Sequence, residues 1–362
     1  MEVKNELKKI ATKIDKEVAK VLDEEFKSSK SISPIIKNLI KTMKPIPAEG
    51  GKRLRGAFVY NSYRMLGGDQ LNEIYKIAAA IELTHAYLLV HDDVMDDAPL
   101  RRGFKTIHEV YKDNYNNVYG LKNGVLFNAS KHFGNSIAIN IGDIFSHISG
   151  SVFVDSKFPN DLKIKALSRF HRRITDTGYG QVIDVFGEFE DVNEAYVMKV
   201  HLYKTGYYTY ENPLHMGAIL AGATKRDLEV LTEYAIPGGI AFQIIDDIID
   251  AYSNDQSKTG KVPGTDIKEG KKTLLVVKAF EKANSRDKAI LDSALGNKYL
   301  SDSTLDTVRK IFVDTGSLEY SKKKAEKLLT KSTDVIKNYR KWNNEGKEFL
   351  IAINDYMLTR KV

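Results

Sequence analysis

Residues 81–97 read IELTHAYLLVHDDVMDD, and residues 238–250 read GGIAFQIIDDIID. Each is an apolar run that closes on two adjacent aspartates and a third three positions later. These are Asp92, Asp93 and Asp96 in the first stretch and Asp246, Asp247 and Asp250 in the second. Around them apolar residues recur at three and four, as in Ile77, Ile81 and Leu88 or Ile164, Leu167 and Ile174, which is the period of a helix. Aspartate is a poor helix former, and burying carboxylates without partners is costly. Asp92 and Asp96 share a helix face, as do Asp246 and Asp250, because residues four apart are neighbours. A face with two carboxylates is half of a hard-cation site, and oxygen-only ligands with room for water suit magnesium. One such segment is equally explained by a solvated acidic helix end. Two, each closing an apolar helix, are much harder to explain that way. An EF-hand is excluded, since the sequence has no Asp-x-Asp-x-Asp-Gly loop.

Outward from these stretches the chain reads as all-α. Only 8 of the 362 residues are proline, and strand-like alternation is scarce. Pro45, Pro47, Gly50 and Gly51 separate an N-terminal helix pair from the next helix, and Pro99 and Gly103 stop the helix carrying Asp92. Residues 114–135, rich in Asn, Gly and Tyr, read as a loop or insertion. Residues 253–270 read as a second loop, with Gly260, Pro263 and Gly264. The Gly- and Ala-rich segment 214–222 reads as a site of close helix packing. No repeat or linker divides the chain, so residues 1–362 are expected to form one domain. Composition is that of a soluble globular protein, 42% hydrophobic and 28% charged. The absence of cysteine removes disulfides, thiolate metal sites and cysteine nucleophiles, and suits a reducing compartment. The N-terminal segment mixes charged and apolar residues and is not a signal peptide. No stretch approaches eighteen uncharged apolar residues, so neither a membrane span nor any location but the cytoplasm is expected.

The net charge of +7 leaves room for phosphorylated ligands. Magnesium held by carboxylates usually also binds substrate phosphates. Matching cations lie in Lys52, Arg53 and Arg55, in Arg101 and Arg102 just after the first acidic cluster, and in Lys204. Lys258, Lys261, Lys268, Lys271 and Lys272 follow the second cluster. Arginine grips phosphate oxygens in pairs, whereas lysine acts as a point charge. The sequence has neither a Gly-x-x-x-x-Gly-Lys-Ser/Thr loop nor a dinucleotide-binding glycine fingerprint. A diphosphate would therefore rest on metals and side chains. A basic nucleic-acid binder would need a recognisable binding module, and none is present.

With these residues the chain resembles the trans-isoprenyl diphosphate synthases, from about residue 40 to about 280. GGKRLRG (50–56), ELTHAYLLVHDDVMDDAPLRRGFKTIH (82–108), YKTG (203–206), FQIIDDIID (242–250) and TGKVPGTDIKEGKKT (259–273) resemble the motifs of that family in order and spacing. The resemblance implies the isoprenoid synthase fold, one large helical bundle around a central pocket, usually paired as a homodimer. It implies magnesium as cofactor, three ions with substrate bound. Asp92, Asp96 and Asp246 would bind the metal, with Asp93, Asp247 and Asp250 supporting directly or through water. Arg101, Lys204 and Lys261 would complete the site for the allylic diphosphate. Lys52, Arg55, His85 and Arg102 would hold isopentenyl diphosphate. Thr205 and Gln243 would face the developing cation, and Lys271 would close the site. On position alone His85 reads as a core histidine; the resemblance makes it a phosphate ligand. Residues 114–131 are longer than usual in the family, and Val262-Pro263-Gly264 differs by one residue, which leaves Lys258 and Lys261 as alternatives for one role.

The reaction implied is ionisation of an allylic diphosphate, attack by the alkene of isopentenyl diphosphate, and loss of a proton. For product length, helix geometry puts Leu88, Thr84 and Ile81 on the face of Asp92. The resemblance points instead to Tyr87, five residues before the cluster. A large aromatic there, with no insertion in the first cluster, favours geranylgeranyl diphosphate, with farnesyl diphosphate second. A terpene cyclase of the same fold would replace the second acidic motif and would not need GGKRLRG. A non-catalytic prenyl-diphosphate-binding subunit would often lose aspartates from one cluster.

Overall fold

The computed structural model describes residues 3–48, 51–115, 117, 127–252 and 264–359. The chain forms two compact units, one of Lys4–Tyr60 and Gln70–Pro159, the other of Met1–Val3, Asn61–Asp69 and Asn160–Val362.

The first unit holds α1 (Val3–Ser29), α2 (Pro34–Met43), α3 (Pro45–Ala48), the start of α4 (Leu54–Met65), α5 (Leu71–Met95), the strands β1 (Leu100–Arg101) and β2 (Phe104–Lys105), α6 (Ile107–Tyr115) and α7 (Phe127–Val154). Its core is the packing of α5 on α7. Ile74, Ile77, Ala78, Ala79, Ala80 and Leu83 of α5, and Ala138, Ile141 and Phe145 of α7, have no accessible surface. Burying a side chain such as Phe145 contributes about 1.5–3 kcal/mol. The three consecutive alanines keep α5 narrow, so the helices come close. A Cβ on Gly142 would sit 2.2 Å from Nε2 of His91. On length and mean composition α7 does pass for a membrane span, against the sequence expectation, with a third of its most apolar stretch buried in the protein.

The second unit holds α8 (Asn160–Gly187), α9 (Glu194–Val200), a π-helical segment (His201–Glu211), α10 (Asn212–Leu220), α11 (Lys225–Tyr252), α12 (Thr265–Glu269), α13 (Leu274–Lys282), α14 (Ser285–Ala294), α15 (Asp302–Asp314), α16 (Ser317–Asn338) and α17 (Asn344–Leu358). The π segment lies between α8 and α11 at two glycines. A Cβ on Gly180 would meet Lys204 N at 2.4 Å, and one on Gly239 would meet Gly206 Cα at 2.6 Å. These backbone-to-backbone contacts set the height of Lys204 and Thr205 against both helices. The 214–222 segment is buried through Leu220, as its small residues predict. Asp227 ties the start of α11 to the chain after α16, accepting from Trp342 Nε1 at 2.9 Å, Lys341 Nζ at 2.8 Å and the Tyr339 hydroxyl at 3.0 Å.

Three local details differ from the sequence reading. Helices claim both ends of residues 114–135, since α6 runs to Tyr115 and α7 starts at Phe127; residues 118–126 lie outside the described residues. Part of the 253–270 stretch is α12. A small antiparallel hairpin follows Asp97, with Leu100 opposite Lys105 and Arg101 opposite Phe104. Its two-residue loop is Arg102-Gly103, with φ of +54° and +81°. Two positive φ values are the signature of a type I′ turn, where Asn-Gly is the usual signal. Arginine in the first position hides the turn from a sequence reading.

Candidate active site

Both acidic clusters sit at helix C-termini. Asp96 caps α5, and Asp246, Asp247 and Asp250 occupy the last two turns of α11. The helix dipole is negative there, and each carboxylate so placed costs about 0.3–1 kcal/mol. Such an arrangement is poor for stability and ready for a cation. Within each cluster the carboxylates divide in the same way. Asp92, Asp96 and Asp246 keep accessible surface, whereas Asp93, Asp247 and Asp250 are buried.

The buried members are engaged by the protein. Asp93 accepts from Arg101 Nε at 2.6 Å, and the same guanidinium reaches Asp92 through Nη2 at 3.2 Å. Burial alone would lower the Arg101 pKa, but Asp93 and Asp92 outweigh it and raise it. Asp247 accepts from Gln243 Nε2 at 2.7 Å and lies 3.1 Å from His201 Nε2. Asp250 accepts the Asp266 N–H at 3.0 Å, which docks the start of α12. Among the described residues no three His, Asp or Glu side chains form a ready-made metal cage. Paired, partly exposed carboxylates fit magnesium, which usually takes one or two from the protein and the rest from water and substrate phosphates.

Cations converge in the first unit. Arg53, Arg55, Arg101 and Arg102 surround the half-buried His85. Burial first, then Arg55, Arg102, Arg101 and Arg53, push the His85 pKa well below its ordinary value, so the imidazole is neutral at pH 7. Burial, followed by Arg101, Arg53 and Arg55, pushes Arg102 down to about 10, with Glu82 opposing. Guanidiniums held this close repel one another, and an anion among them relieves the repulsion. Lys52 lies exposed beside Arg53. Three non-glycine residues of the described chain have positive φ: Arg53, Asp97 and Arg102. All three border this region, and strained backbone of this kind gathers at functional sites.

In the second unit, Thr205 Oγ1 donates to Gln243 Oε1 at 2.6 Å, and Gln243 in turn reaches Asp247. A π-helix inside a helical run is itself frequent at functional sites. Lys204 Nζ donates to Asp184 Oδ2 at 2.7 Å. Lys271 is buried, with its Nζ 2.8 Å from Glu188 Oε1 and 3.5 Å from Asp184 Oδ2. Lys261 lies outside the described residues.

Of the residues read as setting product length, Tyr87 and Leu88 keep accessible surface. The Tyr87 ring stands edge-on to His91, centroids 5.0 Å apart. Burial, then Asp143, raises its hydroxyl pKa. Thr84 is buried; its hydroxyl bonds Ala80 O at 3.1 Å and lies 2.8 Å from Ser149 Oγ, which pins α5 to α7.

Sequence reasoning missed Glu82, Asp184 and Glu188 as parts of the site, and counted Arg53 among the cations without giving it a role. Glu82 is buried and accepts the Gly56 N–H at 2.9 Å. A glutamate at three residues before His85 on an apolar helix face was the available signal.

The polyprenyl synthetase family profile matches residues 36–312. Geranylgeranyl diphosphate synthase of Sulfolobus acidocaldarius is 32% identical over 84% of this chain and 88% of its own length. Geranylfarnesyl diphosphate synthase of Aeropyrum pernix is 32% identical over 86% of this chain and 91% of its own. The crystal structure of geranylgeranyl pyrophosphate synthase from Corynebacterium glutamicum, complexed with isoprenyl diphosphate and magnesium, superposes with a TM-score of 0.90. That match covers 98% of this chain and 99% of the other at 24% identity, and shows a shared all-α fold.

Proposed function

The chain belongs to the polyprenyl synthetase family, and we propose that it is a short-chain trans-prenyl diphosphate synthase that joins isopentenyl diphosphate to an allylic diphosphate. The observation that carries this reading is the cluster of arginines around a neutral His85 in the first unit, separate in the sequence from the lysines beside Asp184. A condensation of two diphosphates needs two such cation sets; a cyclase needs one.

Magnesium, held by Asp92 and Asp96 and by Asp246 with substrate oxygens, would supply positive charge to the departing diphosphate. The chain's own residues do the rest. Arg101, already fixed by Asp93, and Lys204 and Lys271, held by Asp184 of α8 and Glu188 just beyond it, bind and neutralise the allylic diphosphate as its carbon–oxygen bond breaks. Lys261 belongs to the same set. Lys52, Arg55, Arg102 and the neutral His85, which keeps one N–H to donate, orient isopentenyl diphosphate so that its alkene meets the cation. Thr205 and Gln243 present oxygen to that cation at the head of the buried chain ending on Asp247. No side chain acts as a nucleophile, and the released diphosphate takes the proton.

We read the product as geranylgeranyl diphosphate, supported by Tyr87 and by the name of the Sulfolobus relative. Residues 1–362 are read as one synthetase domain, supported by a family match that runs from 36 to 312 through both units. A homodimer is supported by the apolar outer face of α8, where Tyr179, Val182 and Phe186 are 53%, 55% and 61% exposed. A cytoplasmic location is supported by the cysteine-free composition.

The test is incubation of the pure protein with magnesium, labelled isopentenyl diphosphate and dimethylallyl, geranyl or farnesyl diphosphate, with chromatography of the products. Elongation that stops when magnesium is chelated is expected, with Tyr87→Ala shifting the product to longer chains. Failure to elongate any primer would sink the reading; an unchanged chain length in the variant would remove Tyr87 from it.

A further inference from the structure

We propose that Asp15, on the N-terminal helix α1, is a positioning residue for isopentenyl diphosphate, acting through Arg53. The inference rests on the reading of the arginine cluster given above. Asp15 lies outside residues 36–312, the part of the chain matched by the family.

Arg53 is 5% exposed and holds φ at +50°. A left-handed backbone at arginine is uphill and persists only where the surroundings enforce it. Here the far end of the side chain is tethered. Its Nε donates to Asp15 Oδ1 at 2.6 Å, and its Nη1 lies 3.8 Å from Glu82 Oε2. Glu82 spends its other oxygen on the Gly56 N–H in the first turn of α4. Two helices, α1 and α5, thus hold one guanidinium from two sides. Gly56 permits this, since its missing Cβ would lie 2.6 Å from Ile14 Cδ1 of α1.

The tether governs the cations on either side of it. Lys52 and Arg55 flank Arg53 in sequence, so the backbone turn at Arg53 sets their directions. Arg102 is reached through space: a Cβ on Gly51 would stand 2.7 Å from Arg53 Nη1 and 3.8 Å from Arg102 Nη1. Arg53 already repels Arg102, and the Asp15 carboxylate is what fixes its Nε end away from that neighbour. Of the two carboxylates, Glu82 is buried and bound up with α4, whereas the Asp15 side chain is 48% exposed. Asp15 is therefore the half of the tether that a substitution removes without opening the core.

The test uses the full chain, with Asp15→Asn, Asp15→Glu and Arg53→Lys. Asp15→Asn is expected to raise KM for isopentenyl diphosphate about fivefold, with KM for the allylic diphosphate, kcat and the thermal midpoint unchanged. Asp15→Glu restores the wild-type KM. Arg53→Lys, which keeps the charge and loses the Nε donor, reproduces the selective rise and covers the case in which Asp15→Asn folds poorly. Elongation by Asp15→Asn with an unaltered KM overturns the inference alone, as does a parallel change in both KM values and the thermal midpoint. A wild-type chain that elongates no primer overturns the functional reading and this inference with it.

Discussion

Replacing Arg102 with asparagine should make the protein more stable and a worse enzyme. Arg102 holds φ at +54° in the first position of the two-residue hairpin loop, where asparagine is at ease and arginine is not. Relief of that conformation contributes about 1 kcal/mol. The substitution also removes a guanidinium whose pKa is brought down to about 10, first by burial and then by repulsion from Arg101, Arg53 and Arg55. For partly exposed charges, screening leaves that repulsion at about 0.5–1 kcal/mol. The base of the hairpin stays closed by Thr106, whose hydroxyl donates to Ala98 O at 2.7 Å and whose N–H donates to Pro99 O at 3.2 Å. Unfolding in urea should then show Arg102→Asn ahead of wild type by about 1–2 kcal/mol. Against this, the variant lacks a charged donor for diphosphate. A hydrogen bond to a charged group is worth about 1.5–3 kcal/mol, a factor of roughly 10–150 in KM for isopentenyl diphosphate. Steady-state kinetics with each substrate varied in turn reads the second effect. A variant less stable than wild type would refute the strain argument. One with an unchanged KM for isopentenyl diphosphate would refute the assignment of Arg102 to that substrate.

Two further outcomes follow from the same geometry. Because burial and neighbouring arginines lower the Arg102 pKa, its positive charge is present below about pH 10 and lost as pH rises through it. The value of kcat/KM for isopentenyl diphosphate should fall along that limb, and Arg102→Asn should lack the limb; an identical profile in the variant would show that another group titrates. Gly239→Ala places a Cβ 2.6 Å from Gly206 Cα and forces α11 from the π segment. The expected cost is about 1–3 kcal/mol of stability, together with a drop in kcat as Thr205 leaves Gln243, and a variant with wild-type kcat would show that their 2.6 Å bond is dispensable.

The acidic motifs were legible in the sequence because they break a rule. Aspartates at the end of an apolar helix stand out against propensity, and their spacing of four needs only the helical period to place Asp92 beside Asp96. The all-α class followed from the same period. Which carboxylate of each cluster faces outward was not legible from spacing alone, since adjacent aspartates differ only in which side of the helix the core occupies. The hairpin was hidden by its own sequence: Arg102 stands where the turn asks for asparagine, so the residue proposed to bind diphosphate erases the turn signal. The π segment was hidden for a different reason. Nothing in HLYKTGYYTYE announces a wider helical turn; the cause lies in the glycines of its neighbours, Gly180 on α8 and Gly239 on α11, which bring three backbones to contact.

The largest blind spot was the set of residues that hold the site without touching a ligand. Glu82, Asp184 and Glu188 are ordinary acids in helical sequence, and motif reading favours the cations they serve. Physical reasoning explains why acids must be there. Lys271 is buried, and a buried ammonium needs a carboxylate to remain charged, which Glu188 and Asp184 supply. Arg53 makes the same demand on Glu82 and Asp15. A site built to receive two diphosphates has to store its cations before either substrate arrives, and partners that lie behind the binding face let it do so without filling that face. The stored charge on Arg102 has Glu82 as the opposing carboxylate and three guanidiniums against it. On this argument the arginine set proposed for isopentenyl diphosphate is the more strained of the two, and its occupation by an anion should stabilise the fold more than occupation of Lys204 and Lys271, which Asp184 of α8 holds.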